Sequence, residues 1–481
     1  MVSSVHLVGI CGTGMGSLAA LFKAAGWLVR GSDRDVYPPM SDQLARLGIE
    51  IDQGYSPGHL DWAPDLVVVG NIARPDNPEA LEAEHRGLPV TSMASALADH
   101  FLAGRTSVVA AGTHGKTTTA ALLAWALHAA GRDPGFLVGG VLSNFAATSR
   151  LGDGPEFVVE GDEYHNAFFD RQPKFMHYRP EIAILTSVEL DHIELFPDVG
   201  SLRDMFRSFI RLVPAHGRLL ACHDDAGVRA TVPEDLQATV TWYGLGDGPG
   251  TRSTLLEAGP GGMTFAVHRQ GRSFGTFRSP LVGAHNLLNL TAVVEVLIGL
   301  GVNAATLADG LAGFKGIKRR QEIRGCVGGV TVVDDFAHHP TAVRETLRGL
   351  RLRHTGARLV AVFEPRTHSS RRAVFQEDYT VALTEADRVI IAAVHDAGDI
   401  PARDRLDPTR MAADLCRQGT DAAQIDKVPD IVHHLATTCR RGDVIAVLSN
   451  GPFGGIHQLL LAALSRLQST DGQPAPEMTT S

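Results

Sequence analysis

Short runs of apolar residues alternate along the chain with longer stretches in which apolar residues recur at helical spacing. The runs have the length of single strands, and they occupy residues 5–8, 66–69, 107–111, 157–159, 182–185, 330–333, 359–363, 389–392 and 444–448. They are continuous rather than alternating, which is typical of parallel strands covered by helices on both faces. The repeated order of strand and helix therefore predicts α/β domains built on parallel sheets.

The same pattern divides the chain into three domains and a tail. We predict domains at residues 1–104, 105–320 and 321–468, which agrees with a length of 481 residues at roughly 150 residues per domain. Residues 244–277 are rich in glycine and contain short alternating segments, which predicts antiparallel hairpins attached to the second domain. Residues 469–481 are rich in Ser, Thr, Pro and Gln, and we predict a disordered tail there.

Composition and charge exclude several classes of protein. There are 44 Lys and Arg residues against 53 Asp and Glu, a net charge of −9, so general nucleic-acid binding is not expected. Five cysteines lie far apart without a CxxC pair, which argues against a disulfide framework or zinc cluster. The chain starts on a short strand instead of a signal peptide, and no run reaches the ~18 apolar residues of a membrane span. We therefore expect a soluble cytoplasmic protein that does not bind membranes.

A phosphate-binding loop is indicated between the strand at 107–111 and the helical run at 120–130. Its residues are Gly112, Thr113, His114, Gly115, Lys116, Thr117 and Thr118. In such a turn backbone N–H groups surround phosphate oxygens, and the helix dipole favours the anion. We expect Lys116 to neutralise the outer phosphates and Thr117 to bind Mg²⁺. Ala110 replaces the usual first glycine, and a lysine-capped turn without a ligand is the alternative.

A second glycine-rich turn follows the first strand. It contains Gly9, Gly12, Thr13, Gly14 and Met15, and it precedes a helix predicted at 17–25. Ser32 and Asp33 end the next strand, where an acidic side chain can reach a ribose. A turn of this kind can hold a nucleotide diphosphate, bind NAD or simply allow close packing, and the residues alone leave these three interpretations open.

Two apolar strands end in carboxylates. Glu160, Asp162 and Glu163 follow residues 157–159, whereas Glu189, Asp191 and His192 follow residues 182–185. The carboxyl ends of parallel strands face the ligand crevice, and oxygen atoms are the ligands that Mg²⁺ prefers. We therefore predict a magnesium site at this edge. The alternatives are that His192 caps its loop and that Asp162 and Glu163 begin a solvated helix.

Six motifs, taken in order, resemble those of the Mur ligases, which are ATP-dependent amide-bond-forming enzymes of peptidoglycan synthesis. The motifs lie at residues 112–117, 160–163, 189–192, 285–289, 318–320 and 334–340. The resemblance implies a Rossmann-like N-terminal domain, a P-loop ATPase-like central domain and a Rossmann-like C-terminal domain. It also implies that the first glycine-rich turn binds UDP-N-acetylmuramate.

The resemblance assigns a role to each group of residues. In this family a donor carboxylate attacks the γ-phosphate of ATP, and the acceptor amine then attacks the acyl phosphate. The implied catalytic residues are Lys116, Glu160, His192 and Arg320. The resemblance also implies that Thr117 and Glu160 hold a first metal and that His192 holds a second. ATP would also contact Asn286, Asn289, Arg320 and Asp335, and His339 would lie at the interdomain cleft. Alternatively, 318–320 is a solvated linker, 338–340 a turn before a helix, and the asparagines cap a helix.

Two branches of the family bind UDP-N-acetylmuramate, and they differ in the acceptor. One adds L-alanine, and the other attaches the salvaged tripeptide L-alanyl-γ-D-glutamyl-meso-diaminopimelate. Segments 37–41, 163–175 and 449–457 resemble the recycling branch, although residues 165–166 and 187 depart from its pattern. Arg366, Arg371 and Asn450 are then the expected acceptor contacts.

The expected partners are UDP-N-acetylmuramate, ATP with Mg²⁺ and the murein tripeptide, bound by a monomer or weak homo-oligomer. Residues 206–211 contain no lysine, so we predict no carbamylated lysine near the metal. Residues 316–321 are the expected hinge for domain closure. A NAD-binding oxidoreductase and a nucleotide-regulated binding protein without catalysis are the alternatives from other classes.

Overall fold

The computed structural model describes residues 3–36, 40–191, 193–398 and 400–471, which form three successive α/β units. The first is a five-stranded parallel sheet in the order β3-β2-β1-β4-β5. Its strands are β1 (Ser4–Val8), β2 (Leu28–Asp33), β3 (Glu50–Gln53), β4 (Leu66–Val69) and β5 (Val90–Ser92). Its helices are α1 (Thr13–Ala24), α2 (Met40–Arg46), α3 (Pro78–His85) and α4 (Met93–Leu97).

The central unit holds a ten-stranded sheet in the order β17-β16-β15-β14-β13-β12-β6-β9-β7-β8. Its strands are β6 (Thr106–Ala111), β7 (Gly135–Leu142), β8 (Ala147–Arg150), β9 (Glu156–Glu160), β12 (Ile182–Leu185), β13 (Arg218–Cys222), β14 (Thr239–Leu245), β15 (Thr251–Gly259), β16 (Gly262–Arg269) and β17 (Arg272–Ser279). A separate hairpin pairs β10 (His165–Ala167) with β11 (Asp170–Pro173). The helices are α5 (Lys116–Ala129), α6 (Val199–Ile210), α7 (Ala226–Thr231), α8 (Ala284–Gly299) and α9 (Ala304–Ala312).

The third unit has a six-stranded sheet in the order β18-β19-β23-β20-β21-β22, parallel except for β18. Its strands are β18 (Glu322–Val327), β19 (Val330–Asp335), β20 (Leu359–Phe363), β21 (Arg388–Ile391), β22 (Asp421–Gln424) and β23 (Val444–Leu448). Its helices are α10 (Pro340–Arg353), α11 (Gln376–Leu383), α12 (Pro408–Arg417), α13 (Val428–Thr438) and α14 (Ile456–Asp471). Short helical turns lie at Pro57–Leu60, Ala98–Leu102, Lys174–His177, Ala373–Phe375, Ala402–Asp404 and Phe453–Gly455.

The parallel sheets and the antiparallel segment predicted at 244–277 are confirmed, because β15, β16 and β17 pair in antiparallel order. Helices α1 and α5 begin earlier than predicted, directly after Gly12 and Gly115. The glycines themselves end each turn, so the helix starts at the next residue. Of the predicted tail, residues 472–481 lie outside the described residues. Within the described ranges, none of the helices combines the length and apolar character needed to cross a membrane.

The apolar cores show how the units are joined. One continuous core runs from the first sheet into the central sheet, and α1 packs on β7 and β8, where the hydroxyls of Ser17 and Thr148 lie 2.6 Å apart. The C-terminal sheet has its own two cores, one on each face. The first two units are therefore packed as one body, whereas the third is packed mainly within itself.

Candidate functional site

Most of the predicted site residues follow strands at the carboxyl edges of the three sheets, whereas Asn286 and Asn289 lie in α8 and Arg320 lies in the linker before β18. In the central sheet, β6 pairs with β12 on one side and β9 on the other. The chain leaves β6 where the sheet order reverses, and a crevice opens at such a point. In the first sheet β1 occupies the equivalent position between β2 and β4. The turns after β1 and β6 are therefore both placed to bind ligands.

The loop between β6 and α5 has the conformation of an anion cradle. Gly112 and Gly115 adopt φ values of 131° and 83°, which disfavour side chains. A Cβ on Gly112 would lie 2.3 Å from the Thr186 hydroxyl, and one on Gly115 would lie 2.6 Å from the amide oxygen of Asn289. The first N–H groups of α5 have no partner within the helix. The positive end of α5 thus faces the crevice.

Lys116 lies inside this crevice as a paired cation. Its Nζ atom is 2.9 Å from Oε2 of Glu163 and also donates to the carbonyl of Gly112 at 2.7 Å. Burial alone would lower the pKa of Lys116, but the charge of Glu163 and its hydrogen bond raise it above the usual value. Lys116 therefore keeps its positive charge, and Glu163 is the counter-ion of this buried cation.

Thr117 and Glu160 also come together. The Thr117 hydroxyl donates to Oε1 of Glu160 at 2.7 Å, and the Gly139 N–H donates to Oε2 at 2.6 Å. Adjacent oxygens of a Mg²⁺ octahedron with bonds of about 2.1 Å lie about 2.9 Å apart, so this pair fits two ligands of one ion. Arg320 approaches from the linker, with Nη2 3.4 Å from the Thr117 hydroxyl. His192, the predicted ligand of a second metal, lies outside the described residues.

A cleft of about 290 Å³ connects Glu160 to the first glycine-rich turn. It is lined by Gly9, Gly12, Thr13, Gly14, Met15, Asn71, Ile72, Met93, Leu137, Val138, Gly139, Glu160, Asp162, Asn166, Lys174 and Tyr178. Five of the seven predicted donor-binding residues are in this lining. Ser32 and Asp33 are not: Asp33 accepts from the Cys11 N–H at 2.8 Å and fixes the turn, and Ser32 donates to Glu79.

Lys174 is a cleft residue to which the sequence assigned no role. It donates to Oδ2 of Asp162 at 2.7 Å, and it is the sole cation among the described residues that line the cleft. Burial would raise the pKa of Asp162, but Lys174 lowers it below the usual value. The hairpin of β10 and β11 returns the chain to the cleft and brings Lys174 back to Asp162. No local spacing rule signals that contact.

Three of the predicted ATP contacts, Asn286, Asn289 and Asp335, have partners within the protein. Asn289 accepts from the Thr119 hydroxyl at 3.1 Å, and Asn286 donates to the Val282 carbonyl at 2.8 Å. Asp335 accepts from the N–H groups of Gln321 and Ala337 at 2.7 and 2.8 Å. All three predicted contacts are almost fully buried. Asn289 lies directly behind the phosphate loop, whereas Asp335 ties the linker to β19.

The predicted acceptor contacts separate into two places. Arg366 follows β20 and packs against Gly451, and Asn450 follows the neighbouring strand β23. The side-chain oxygen of Asn450 is buried without a hydrogen-bond partner among the described residues. Arg371 is buried and donates to the backbone carbonyl of Asp396. The structure thus brings Arg366 and Asn450 together, while Arg371 anchors a loop.

The fold and the site define a class of nucleotide-binding α/β enzyme in which a phosphate loop, a hydroxyl–carboxylate pair and a second glycine-rich turn share one crevice. Family models confirm this class. The Mur ligase family catalytic domain matches residues 4–105, the Mur ligase middle domain matches residues 110–297, and the Mur ligase glutamate ligase domain matches residues 319–451. The chain belongs to the Mur ligase family, whose members are ATP-dependent ligases that form amide bonds.

Individual relatives cover nearly the whole chain. UDP-N-acetylmuramate–L-alanyl-γ-D-glutamyl-meso-2,6-diaminoheptandioate ligase of Escherichia coli is 37% identical over 96% of this chain and 98% of its own. UDP-N-acetylmuramate–L-alanine ligase of Acidothermus cellulolyticus is 35% identical over 96% and 95%. The crystal structure of a murein peptide ligase from Psychrobacter arcticus superimposes with a TM-score of 0.70 at 34% identity, covering 96% and 99%. The predicted family and three-part architecture are confirmed.

Proposed function

We propose that this chain joins the carboxyl group of UDP-N-acetylmuramate to the free amine of L-alanyl-γ-D-glutamyl-meso-diaminopimelate, in an ATP- and Mg²⁺-dependent step of peptidoglycan recycling. The observation that carries the proposal is the cleft between the first glycine-rich turn and Glu160. A sugar diphosphate bound at Gly12 and Gly14 extends along this cleft, so its acid group reaches the Thr117–Glu160 pair. The name of the relative from Escherichia coli contains the same donor and acceptor, and the structure from Psychrobacter arcticus is that of a murein peptide ligase.

The chemistry requires a carboxylate to approach a triphosphate, and like charges oppose that approach. Lys116 and Arg320 reduce the repulsion and stabilise charge on the transferring phosphoryl group. Mg²⁺ held by Thr117 and Glu160 would neutralise further phosphate charge. Attack of the donor carboxylate oxygen on the γ-phosphorus breaks the bond to ADP and forms an acyl phosphate. The acceptor amine then attacks the acyl carbon, loses a proton and displaces inorganic phosphate.

The C-terminal unit supplies the acceptor end of the site. A murein tripeptide carries several carboxylates, and arginine binds carboxylates through paired hydrogen bonds. Arg366 lies at the carboxyl edge of the sheet beside Asn450. The side-chain oxygen of Asn450 has no hydrogen-bond partner among the described residues, so it can accept a hydrogen bond from a ligand. We assign residues 1–104 to donor binding, 105–320 to ATP binding and 321–468 to acceptor binding.

The experiment supplies UDP-N-acetylmuramate, ATP and Mg²⁺, and compares phosphate release with the tripeptide and with L-alanine. We expect turnover with the tripeptide, and a drop of about 10²–10³ in kcat for Lys116→Met, as for loss of one charge-stabilising group. Turnover with L-alanine alone would assign the chain to the other branch, which the relative from Acidothermus cellulolyticus represents. Binding of neither nucleotide would contradict both assignments.

A further inference from the structure

A second group of potential metal ligands lies beside the phosphate loop, apart from the Thr117–Glu160 pair. It consists of His114 in the loop, Glu189 after β12, and His339 at the start of α10. Nε2 of His114 is 3.0 Å from Oε2 of Glu189, and Nδ1 of His339 is 3.8 Å from the same oxygen. The ligand atoms of all three residues lie within 4.8 Å of one another.

These separations are close to those of a tetrahedral metal site. Bonds of 2.0–2.1 Å at tetrahedral angles place ligand atoms roughly 3.3 Å apart, and the distances of 3.0 and 3.8 Å fall on either side of that value. The third separation, between the two imidazole nitrogens, is at most 4.8 Å, so the two rings would have to move toward each other to complete three corners. His114 and Glu189 are partly exposed to solvent, so water can take the fourth corner.

The surroundings hold the three side chains in place. Glu189 accepts from the Thr341 hydroxyl at 2.7 Å through its other oxygen, and its backbone N–H donates to the Thr113 hydroxyl at 3.0 Å. The ring of His339 is 3% exposed, and its Nδ1 has a long contact of 3.4 Å with the Thr341 N–H. The Thr341 hydroxyl thus orients Glu189 through its second oxygen, an arrangement that is typical of metal sites.

The protonation states also suit a metal. Burial lowers the pKa of His339 to about 4, so its ring is neutral near pH 7. Burial would raise the pKa of Glu189, but hydrogen bonding from His114 and the nearby His339 lower it to about 2. Near pH 7 the site therefore offers a charged carboxylate and a neutral, buried imidazole, whose Nδ1 would exchange its long contact with the Thr341 N–H for the metal.

We propose that His114, Glu189 and His339 form a binding site for a divalent transition cation such as Zn²⁺, separate from the metal that accompanies ATP. Two imidazoles and one carboxylate suit Zn²⁺, whereas Mg²⁺ prefers oxygen ligands alone. His114 and Glu189 belong to the central unit, and His339 belongs to the C-terminal unit. A bound cation would therefore link the phosphate loop to the C-terminal unit.

The binding test uses the full chain, stripped of metals and without nucleotide, so that it does not depend on the proposed ligase activity. Titration calorimetry with Zn²⁺ should show one saturable site in the wild-type chain, and Co²⁺ should give the visible absorption of tetrahedral coordination. His339→Gln and Glu189→Gln should each weaken Zn²⁺ binding by more than about 100-fold, since loss of an orienting partner alone costs up to that factor.

Two controls isolate the site. Thr117→Ala alters the Thr117–Glu160 pair, and His85→Gln removes an exposed histidine; both should keep wild-type Zn²⁺ affinity. Circular dichroism melting verifies that each variant is folded. Wild-type affinity in folded His339→Gln and Glu189→Gln variants would overturn the proposal, as would weakened binding in Thr117→Ala or the absence of a saturable Zn²⁺ site. None of these results would bear on phosphate release in the ligase assay.

Discussion

The ion pair between Lys116 and Glu163 leads to a prediction about the protein without nucleotide. Both side chains are largely buried, with 13% of Lys116 and 3% of Glu163 exposed. Glu163→Gln keeps the shape of the side chain and removes its negative charge. Lys116 then remains as a buried cation whose nearest counter-charge is gone. We expect the variant to be less stable when no nucleotide is bound.

The size of the loss follows from the contacts that remain. Removing one partner of a buried ion pair typically costs about 3–5 kcal/mol. Lys116 retains the carbonyls of Gly112 and Thr113 at 2.7 and 3.2 Å, and Glu160 and Asp162 still attract it. We therefore expect a loss of about 2 kcal/mol, or about 4–8 °C in Tm for a unit of this size.

Nucleotide binding should show the opposite effect. In the wild-type chain a triphosphate has to displace Glu163 from Lys116, whereas in Glu163→Gln the lysine is available. The same 2 kcal/mol corresponds to an affinity for a non-hydrolysable ATP analogue that is tighter by about 30-fold. The thermal shift caused by the analogue should be larger in the variant, which differential scanning calorimetry measures.

A matched control removes an exposed carboxylate instead. Asp204 pairs with Arg207 at 2.7 Å on the surface of α6, and Asp204→Asn should change stability by less than about 0.5 kcal/mol, since exposed pairs contribute little. Wild-type stability together with wild-type analogue affinity in Glu163→Gln would refute the idea that Glu163 holds the lysine in place of a phosphate.

Three further predictions concern the cleft and the pH dependence of stability. Gly12 has φ −66°, and a Cβ there would meet only the Gly9 carbonyl at 3.5 Å. Gly12→Ala should therefore melt at the wild-type temperature yet bind UDP-N-acetylmuramate at least about tenfold more weakly in calorimetry. Unchanged binding would show that the turn is not part of the donor site. Lys174→Met should weaken the binding of UDP-N-acetylmuramate by about 1.5–3 kcal/mol, the usual range for a hydrogen bond to a charged group. The binding of UDP-N-acetylglucosamine, which lacks the acid group, should not change. Equal losses of binding free energy for the two ligands would show that Lys174 does not recognise the carboxylate. Burial lowers the pKa of His285 to about 4, below the ~6.5 of an unfolded chain. As the pH falls, the unfolded chain therefore binds the proton first. Up to about 3 kcal/mol of the free energy of unfolding that is present above pH 6.5 should be lost as the pH falls toward 4. Urea unfolding at pH 7 and pH 4.5 should show that His285→Asn loses less stability between these pH values than the wild type does. An equal loss of stability would contradict the assignment of this pH dependence to His285.

The fold could be predicted wherever its signal is local. Strands 182–185, 359–363 and 444–448 have the bounds predicted from the sequence, because a short apolar run between polar residues marks a buried strand. The resemblance to the Mur ligases likewise implied that Thr117 and Glu160 lie together, and they do so because they follow β6 and end β9, which are adjacent parallel strands. The start of α5 was predicted four residues too late, at residue 120 instead of 116. The apolar pattern marks only apolar positions, and the first turn of this helix is polar.

The partners of individual side chains could not be predicted in the same way. Glu189 contacts His114 across 75 positions and Thr341 across 152 positions, and such contacts depend on how two units pack. Asp33 and Asp335 were expected at ligands, yet both are fixed by backbone N–H groups of the protein. A carboxylate at a strand end has the same sequence signature whether it binds a ligand or holds a turn.

The linker shows why ligand contacts and domain movement should be connected. The N–H of Lys318 donates to the Val141 carbonyl of the central sheet at 3.0 Å, whereas the Arg319 guanidinium donates to the Gly451 carbonyl of the C-terminal unit at 2.8 Å. The attachment therefore changes from one unit to the other between these two residues, and Arg319 has a φ of 62°. Within the expected hinge at 316–321, we expect rotation at this point. Arg320 is the next residue, so a rotation there must also move its guanidinium relative to Thr117.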